Sequence, residues 1–353
     1  MGKKRLQILA TGLALLAVAI YAFQKVQNSP EWKSFDGHKF SASLLQVRPP
    51  ELLGAILLMY STYLLRSLRW REFVLPVKKT SVARLLAANI VGFGAVAIFG
   101  RAGELVRPYL IAHHEDLPVS GQVAVWMLER FCDGVTIVLL VGAAVFLSGM
   151  GEDASGQLGE ALIRMRRAGI ILLILTVGGV ALLILYERRR ETWGPRLLAR
   201  LRFLPAGSLE PIRRHLESFA RGLAGVRSAR AWIMGAIYSF LIWLAIAAAF
   251  WLTLRALGPP VDELDFAAAM LVLGFAIAGS AIMIPGVGGG TQLFTIIVLT
   301  EVYGAPPEAA TSAGLVLWGL LFLVVVPPAV VLGVRDGLTW NKLRLMTRGE
   351  GSP

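Results

Sequence analysis

Gly100-Arg101-Ala102-Gly103-Glu104-Leu105-Val106-Arg107-Pro108-Tyr109-Leu110-Ile111 sets two arginines and a glutamate directly behind the apolar run 82–99. Charge at membrane depth is expensive, so it usually faces a protein interior or a water-filled cavity and has a task there. Gly100, Gly103 and Pro108 break the backbone at the same place. Broken backbone is tolerated in a bilayer only where protein or water covers it. The plainer alternative is a cytoplasmic loop at a helix end, with its arginines among the lipid headgroups.

The rest of the chain decides the class. Of 353 residues, 56% are hydrophobic and 16% charged, whereas soluble domains carry roughly 25% charged residues. This composition predicts an all-α polytopic membrane protein, with 1–353 forming a single membrane-embedded domain. The net charge of +12 does not require nucleic acid, because the basic residues lie between apolar runs, where a membrane surface accounts for them. The only cysteine is Cys132, which excludes an intrachain disulfide. His38, His113, His114 and His215 lack metal-ligand spacing. No metal and no cofactor are expected.

Topology follows from charge and parity. Lys3-Lys4-Arg5 precedes the uncharged run 6–23. That run exceeds a signal-peptide core of about 7–15 residues, so it reads as a retained first helix with its N-terminus inside. Full spans are expected at 6–23, 50–68, 119–148, 169–186, 231–254 and 310–334. Segment 188–230 holds eleven arginines against Glu191, Glu210 and Glu217, a surplus of eight, and must be cytoplasmic. Ile212, Leu216, Phe219 and Leu223 give it an amphipathic stripe for the inner leaflet; a simple topology anchor is the alternative. The tail, with Arg335, Lys342, Arg344 and Arg348, also belongs inside.

With those sides fixed, 82–118 leaves and returns on the inner side, and 266–303 does so on the outer side. Each makes an even number of crossings. We expect two re-entrant helical hairpins, the second broken at Ile284-Pro285-Gly286-Val287-Gly288-Gly289-Gly290. Two pairs of short spans are the alternative. Broken hairpins from opposite faces, one in each half, suggest an inverted repeat, although no residue-level repeat is visible.

A second charged cluster, Glu129-Arg130 with Asp133, interrupts the apolar stretch 119–148. Glu129 and Asp133 share a helix face and repel each other unless paired. Parity brings the first hairpin beside this helix, making Arg101 and Arg107 the expected partners. A purely structural ion-pair network that locks the hairpin is the alternative.

Together these motifs resemble a flippase-like membrane family typified by the transmembrane region of lysylphosphatidylglycerol synthase. The resemblance runs from about residue 10 to residue 332. It rests on Gly100-Arg101-Ala102-Gly103-Glu104 with Arg107, on Glu129-Arg130 with Asp133, on the Pro285-Gly286 break, and on Arg66, Arg69 and Trp70 after the second span. It implies movement of lipids or lipid-linked groups between leaflets. Arg101, Glu104 and Arg107 would form the first motif, Glu129, Arg130 and Asp133 the second, and Pro285, Gly286 and Gly289 the third. The third motif usually reads Pro-Gly-Gly-Leu-Gly-x-x-Glu. Here Val287 and Gly288 alter its middle, and Gln292 replaces the glutamate; an amide hydrogen-bonds but does not titrate. The chain stops after the membrane region, so lipid aminoacylation is not expected.

The leading expectation is a lipid flippase or transporter without a covalent catalytic site. Arg66, Arg69, Arg101, Glu104, Arg107, Glu129, Arg130 and Asp133 would bind or gate the substrate. Pro285, Gly286, Gly288, Gly289, Gly290 and Gln292 would form the second break. Arginine suits phosphate geometrically, so the expected partners are membrane lipids with an anionic or lipid-linked head, and no nucleic acid. A homo-oligomer or a lipid-modifying enzyme partner stays open. The expected location is the bacterial cytoplasmic (inner) membrane, with both termini cytoplasmic. The alternatives are an integral membrane enzyme acting on a lipid-linked substrate, for which Glu31, Asp36 and His38 in loop 24–49 are thin support, and a scaffold for a lipid-modifying enzyme.

Overall fold

Two long antiparallel helices set the frame, α2 (Pro49–Val74) and α6 (Ala229–Leu257). At one end the Arg48 N–H donates to the Ala256 carbonyl at 2.7 Å; at the other Arg230 Nε donates to Glu72 Oε2 at 3.1 Å. The computed structural model describes residues 33–147, 228–281, 283–284 and 288–337, with isolated positions 171, 174, 178, 185 and 218. The expected span 6–23, nearly all of 169–186 and of 188–230, and the tail beyond 337 lie outside the described residues. So do Pro285 and Gly286 of the second break.

The described chain is helical apart from one two-residue antiparallel ladder. A short helix α1 (Gly37–Leu45) starts at Asp36, whose carboxylate accepts the His38 N–H at 2.8 Å. That bond holds the Asp36 carboxyl below the ordinary aspartate range. The remaining helices are α3 (Val82–Phe99), α4 (Val106–His114), α5 (Val119–Leu147), α7 (Phe266–Gly279), α8 (Gly290–Glu301), α9 (Pro307–Trp318) and α10 (Val326–Arg335). A π-turn at Gly319–Leu323 joins α9 to α10.

Among the described residues, three stretches are long and apolar enough to cross a membrane: Val82–His114, Ala229–Leu257 and Pro307–Arg335. The 26-residue α2 and 29-residue α5 are also long. Their charged residues lower the mean hydropathy, but at 1.5 Å per residue each exceeds the ~30 Å of a hydrocarbon core. The helix α2 runs six residues past the expected span 50–68, so Arg69 and Trp70 lie within it as Arg66 does.

The first of the three apolar stretches is not one rod. Gly100 takes a φ of +65° after α3, a region that glycine enters without a Cβ penalty. A 3-10 turn, Gly100–Leu105, then reverses the chain. The arm α4 packs back on α3 so closely that a Cβ on Gly92 would stand 2.6 Å from Arg107 Cβ, and one on Gly103 would land on the Ala95 carbonyl. Pro108 sits in the first turn of α4, where its missing N–H goes unmissed. Below α4, Glu115 ties the base shut. Its carboxylate accepts from Arg84 Nε at 2.8 Å and from the Ser81 N–H at 3.3 Å. Both arms therefore begin and end at the same end of the bundle.

A second hairpin comes from the other end. Asp265 caps α7 by accepting the Ala268 N–H at 2.7 Å. The chain turns through the ladder β1 (Met283–Ile284) and β2 (Gly288–Gly289) and returns as α8. Gly279 rests on the Gly290 carbonyl with no room for a Cβ. The two hairpin tips meet where Arg101 Nη2 donates to the Ser280 carbonyl at 3.0 Å.

The apolar core is divided. One cluster joins α2, α6, α7, α8 and α9 around Met59, Ile242, Phe250, Leu271, Leu299 and Leu317. The other joins α2 to α3, α4 and α5 around Trp70, Phe73, Leu85, Leu110 and Leu128. Between them α2, α5 and α6 carry polar residues: Arg66 and Arg69, Glu129 and Asp133, Ser239. Outside, Leu53, Leu57, Leu64, Ile233, Ile237, Phe240 and Val331 are exposed, an apolar belt that suits lipid contact.

Because Gly103 lies against the backbone of α3, Gly103→Ala should force the hairpin arms apart and destabilise the protein by about 1–3 kcal/mol. Gly142, on α5, has nothing within 4 Å of an added Cβ, so Gly142→Ala should stabilise by up to about 1 kcal/mol through helix propensity. Thermal unfolding of the two variants in the same detergent checks this. Equal Tm values for both would contradict the close approach.

Candidate functional site

The polar layer is an arginine–carboxylate cluster drawn from three helices. Arg66 and Arg69 are three residues apart on α2, and Glu129 and Asp133 are four apart on α5, so each pair shares a face. Arg107 arrives on α4 because the hairpin folds back. Arg69 is fully buried, and Arg66, Arg107, Glu129 and Asp133 are nearly so.

The hydrogen bonds divide the four arginines into two kinds. Arg69 Nη2 donates to Glu129 Oε1 in a very short contact, and its Nη1 donates to Asp133 Oδ1 at 2.6 Å and to Ser239 Oγ at 2.6 Å. Arg107 grips Glu129 with both Nη atoms, Nη1 reaching Oε1 at 3.1 Å and Nη2 contacting Oε2. Bidentate pairs of this form are the strong ones. Arg66 Nη1 stands 3.5 Å from Glu129 Oε1 and 3.6 Å from Asp133 Oδ2, inside ion-pair range, yet it makes no hydrogen bond among the described residues. Arg130 Nη2 lies 3.1 Å from Asp133 Oδ2, and its side chain is 39% exposed.

Neutral groups complete the shell. Asn89 Oδ1 accepts from Arg107 Nη1 at 3.1 Å, while Asn89 Nδ2 donates to Ser67 Oγ at 3.0 Å. Trp243 Nε1 donates to Asp133 Oδ1 at 3.0 Å. The Phe93 ring lies under Arg66 at 4.9 Å and under Arg107 at 5.2 Å, and Trp70 faces Arg107 at 4.8 Å. Such rings attract cations without supplying countercharge.

The expected site residues thus fall into separate groups. Arg66, Arg69, Arg107, Glu129, Arg130 and Asp133 come together. Arg101 and Glu104 do not join them. The 3-10 turn carries both to the hairpin tip, where Arg101 Nη1 bonds Glu104 Oε1 at 3.0 Å and the Arg101 side chain is 58% exposed. Gly288, Gly289 and Gly290 form the second tip, with Gly289 at a φ of +108°. Gln292 Oε1 accepts the Gly289 N–H and caps α8. Sequence reasoning did not find Asn89, Ser239, Trp243 or Ser280. Asn89 alone carried a signal, as a neutral polar residue within the apolar run 82–99.

These features define a helical integral membrane protein in which two hairpins meet tip to tip beside a buried arginine–carboxylate cluster. Residues 8–329 match the family model described as the lysylphosphatidylglycerol synthase TM region, and the chain belongs to that family. No curated protein and no solved structure matches the chain.

Glu129→Gln removes the charge that Arg69 and Arg107 both hold. Breaking a buried pair from one side costs about 3–5 kcal/mol, and a loss of that order is expected here. Adding Arg107→Gln should recover part of it. A double-mutant cycle on unfolding in detergent measures the coupling; strictly additive losses would show that the two side chains act independently.

Proposed function

We propose that the protein moves a lipid with a phosphate-bearing head, a phospholipid or lipid-linked group, between the leaflets of a bacterial cytoplasmic membrane, without covalent chemistry. The observation that carries this reading is the meeting of two hairpins from opposite ends through Arg101 and Ser280. Each hairpin is a re-entrant element covering half the membrane, and their tips form a thin barrier that a few polar contacts hold closed. A head group passes between the tips while its tails stay against the apolar belt. This is the alternating-access logic of broken-helix transporters. Family membership supports a role in lipid modification or transport.

The charge at the two ends supports the orientation. Arg71, Lys78, Lys79, Arg84, Arg230 and Arg335 gather at the base of the first hairpin, the cytoplasmic end by the positive-inside rule. Glu51, Asp262, Glu263, Asp265, Glu301 and Glu308 gather at the other. On this reading, with six spans and two hairpins, both termini lie in the cytoplasm. Cysteines introduced at Lys79 and Asp116 should be labelled from the same face; labelling from opposite faces would remove the re-entrant hairpin.

Purified protein in vesicles with a fluorescent phospholipid should accelerate leaflet exchange. Arg101→Gln keeps hydrogen bonding but removes the charge at the tip. It should alter exchange at least tenfold while membrane yield stays normal. Parallel loss of yield and exchange would make Arg101 structural; unchanged exchange would defeat the gate. No exchange by the native chain would favour a scaffold or an enzyme. Gln292→Glu can still accept the Gly289 N–H, so the pH profile of exchange should not change. A new acid-side limb would give that position a part in transport.

A further inference from the structure

The buried cluster does not balance its own charge. Arg69 and Arg107 hydrogen-bond the two carboxylates and neutralise them. Arg66 and Arg130 remain as a surplus of two positive charges among the described residues. Neither meets hydrogen-bond geometry with Glu129 or Asp133: Arg66 stands 3.5 and 3.6 Å from them, and Arg130 Nη2 contacts Asp133 Oδ2 as an ion pair at 3.1 Å. Arg66 is 6% exposed, and its Nη1 and the Nε of Arg130 are buried without a hydrogen-bond partner. A buried guanidinium nitrogen with no hydrogen-bond acceptor is costly to keep, even with carboxylates in ion-pair range. A bound anion removes that cost.

The geometry limits which anion. Both guanidinium groups reach the same oxygen, Asp133 Oδ2, at 3.6 Å from Arg66 and 3.1 Å from Arg130. The two groups therefore lie side by side at that carboxylate, near enough for their remaining donors to share one small tetrahedral ion. Guanidinium forks match phosphate oxygens in pairs. The partial exposure of Arg130 opens the cluster on one side, so a head group can reach it while its tails remain outside. We infer that Arg66 and Arg130 form a binding site for a phosphate group carrying two negative charges, a phosphomonoester or diphosphate head in preference to a phosphodiester. At neutral pH a phosphomonoester carries close to two charges, and a phosphodiester carries one. The inference rests on the translocation reading only in taking a lipid as the source of that phosphate.

The test uses the full chain in mild detergent, with Tm shift and equilibrium binding as readouts. The probes are dioctanoyl phosphatidate, dioctanoyl phosphatidylglycerol, dioctanoyl phosphatidylcholine and inorganic phosphate at pH 8. Phosphatidate should bind at least tenfold more tightly than phosphatidylglycerol, and phosphatidylcholine should not raise Tm. Arg66→Gln and Arg130→Gln should each weaken phosphatidate binding about tenfold or more. They should also leave the ligand-free Tm unchanged or higher, because each removes an uncompensated charge. A purely structural arginine would do the opposite and lower it.

Equal binding of phosphatidate and phosphatidylglycerol overturns the two-charge assignment. Binding that survives both substitutions overturns the site. Inorganic phosphate binding as tightly as phosphatidate upholds the site and assigns it to free phosphate. Tight phosphatidate binding with no leaflet exchange in vesicles upholds the site and defeats the translocation reading.

Discussion

Glu129 is the point on which the half of the protein around the first hairpin depends. A carboxylate at that depth must be neutralised where it stands, because no water is there to do it. Arg69 approaches it from α2 and Arg107 from α4, so one side chain fixes three helices in a single arrangement. Arg107 reaches that place only if α4 doubles back on α3. The ion pair and the hairpin therefore require each other. Had Val82–His114 continued as a straight rod, Arg107 would stand several turns beyond Gly92 instead of against it.

Much of this was legible in the sequence, for reasons particular to membranes. Charges are so rare at depth that Glu129, Asp133 and Arg107 declared themselves, and the parity of crossings led to the expectation of a hairpin in 82–118. The glycines that permit the return, Gly100 and Gly103, are visible as letters. Their separate tasks are not. One supplies a positive φ and the other an absent Cβ, which only coordinates distinguish. The pairing of Arg101 with the buried acids was plausible by proximity in sequence and wrong in space. Six residues in a 3-10 turn rise further per residue than an α-helix and carry Arg101 away to the tip. The contributions of Asn89, Ser239 and Trp243 had little chance of being found, since they depend on which faces of α3 and α6 turn toward α5.

The two halves of the molecule solve the same problem with different chemistry. The first hairpin is closed at its base by ions, with Arg84 and Lys78 gathered around Glu115. The second is closed at its tip by backbone, through the ladder of Met283 and Ile284 with Gly288 and Gly289 and the cap from Gln292. An amide serves that cap as well as a carboxylate would, and it brings no charge into the tip. The departure at Gln292 therefore leaves the local fold intact.

The tip contact also has an unequal memory of sequence. Arg101 reads Ser280 chiefly through its main-chain carbonyl, with the hydroxyl farther off at 3.4 Å. Every amino acid offers that carbonyl, so position 280 can drift among small residues while the bond persists. Position 101 has no such freedom, because only a long side chain with a forked donor end spans the gap and still reaches Glu104. Drift in this protein should thus be lopsided across the junction, with one partner fixed by its side chain and the other held only by the path of its backbone.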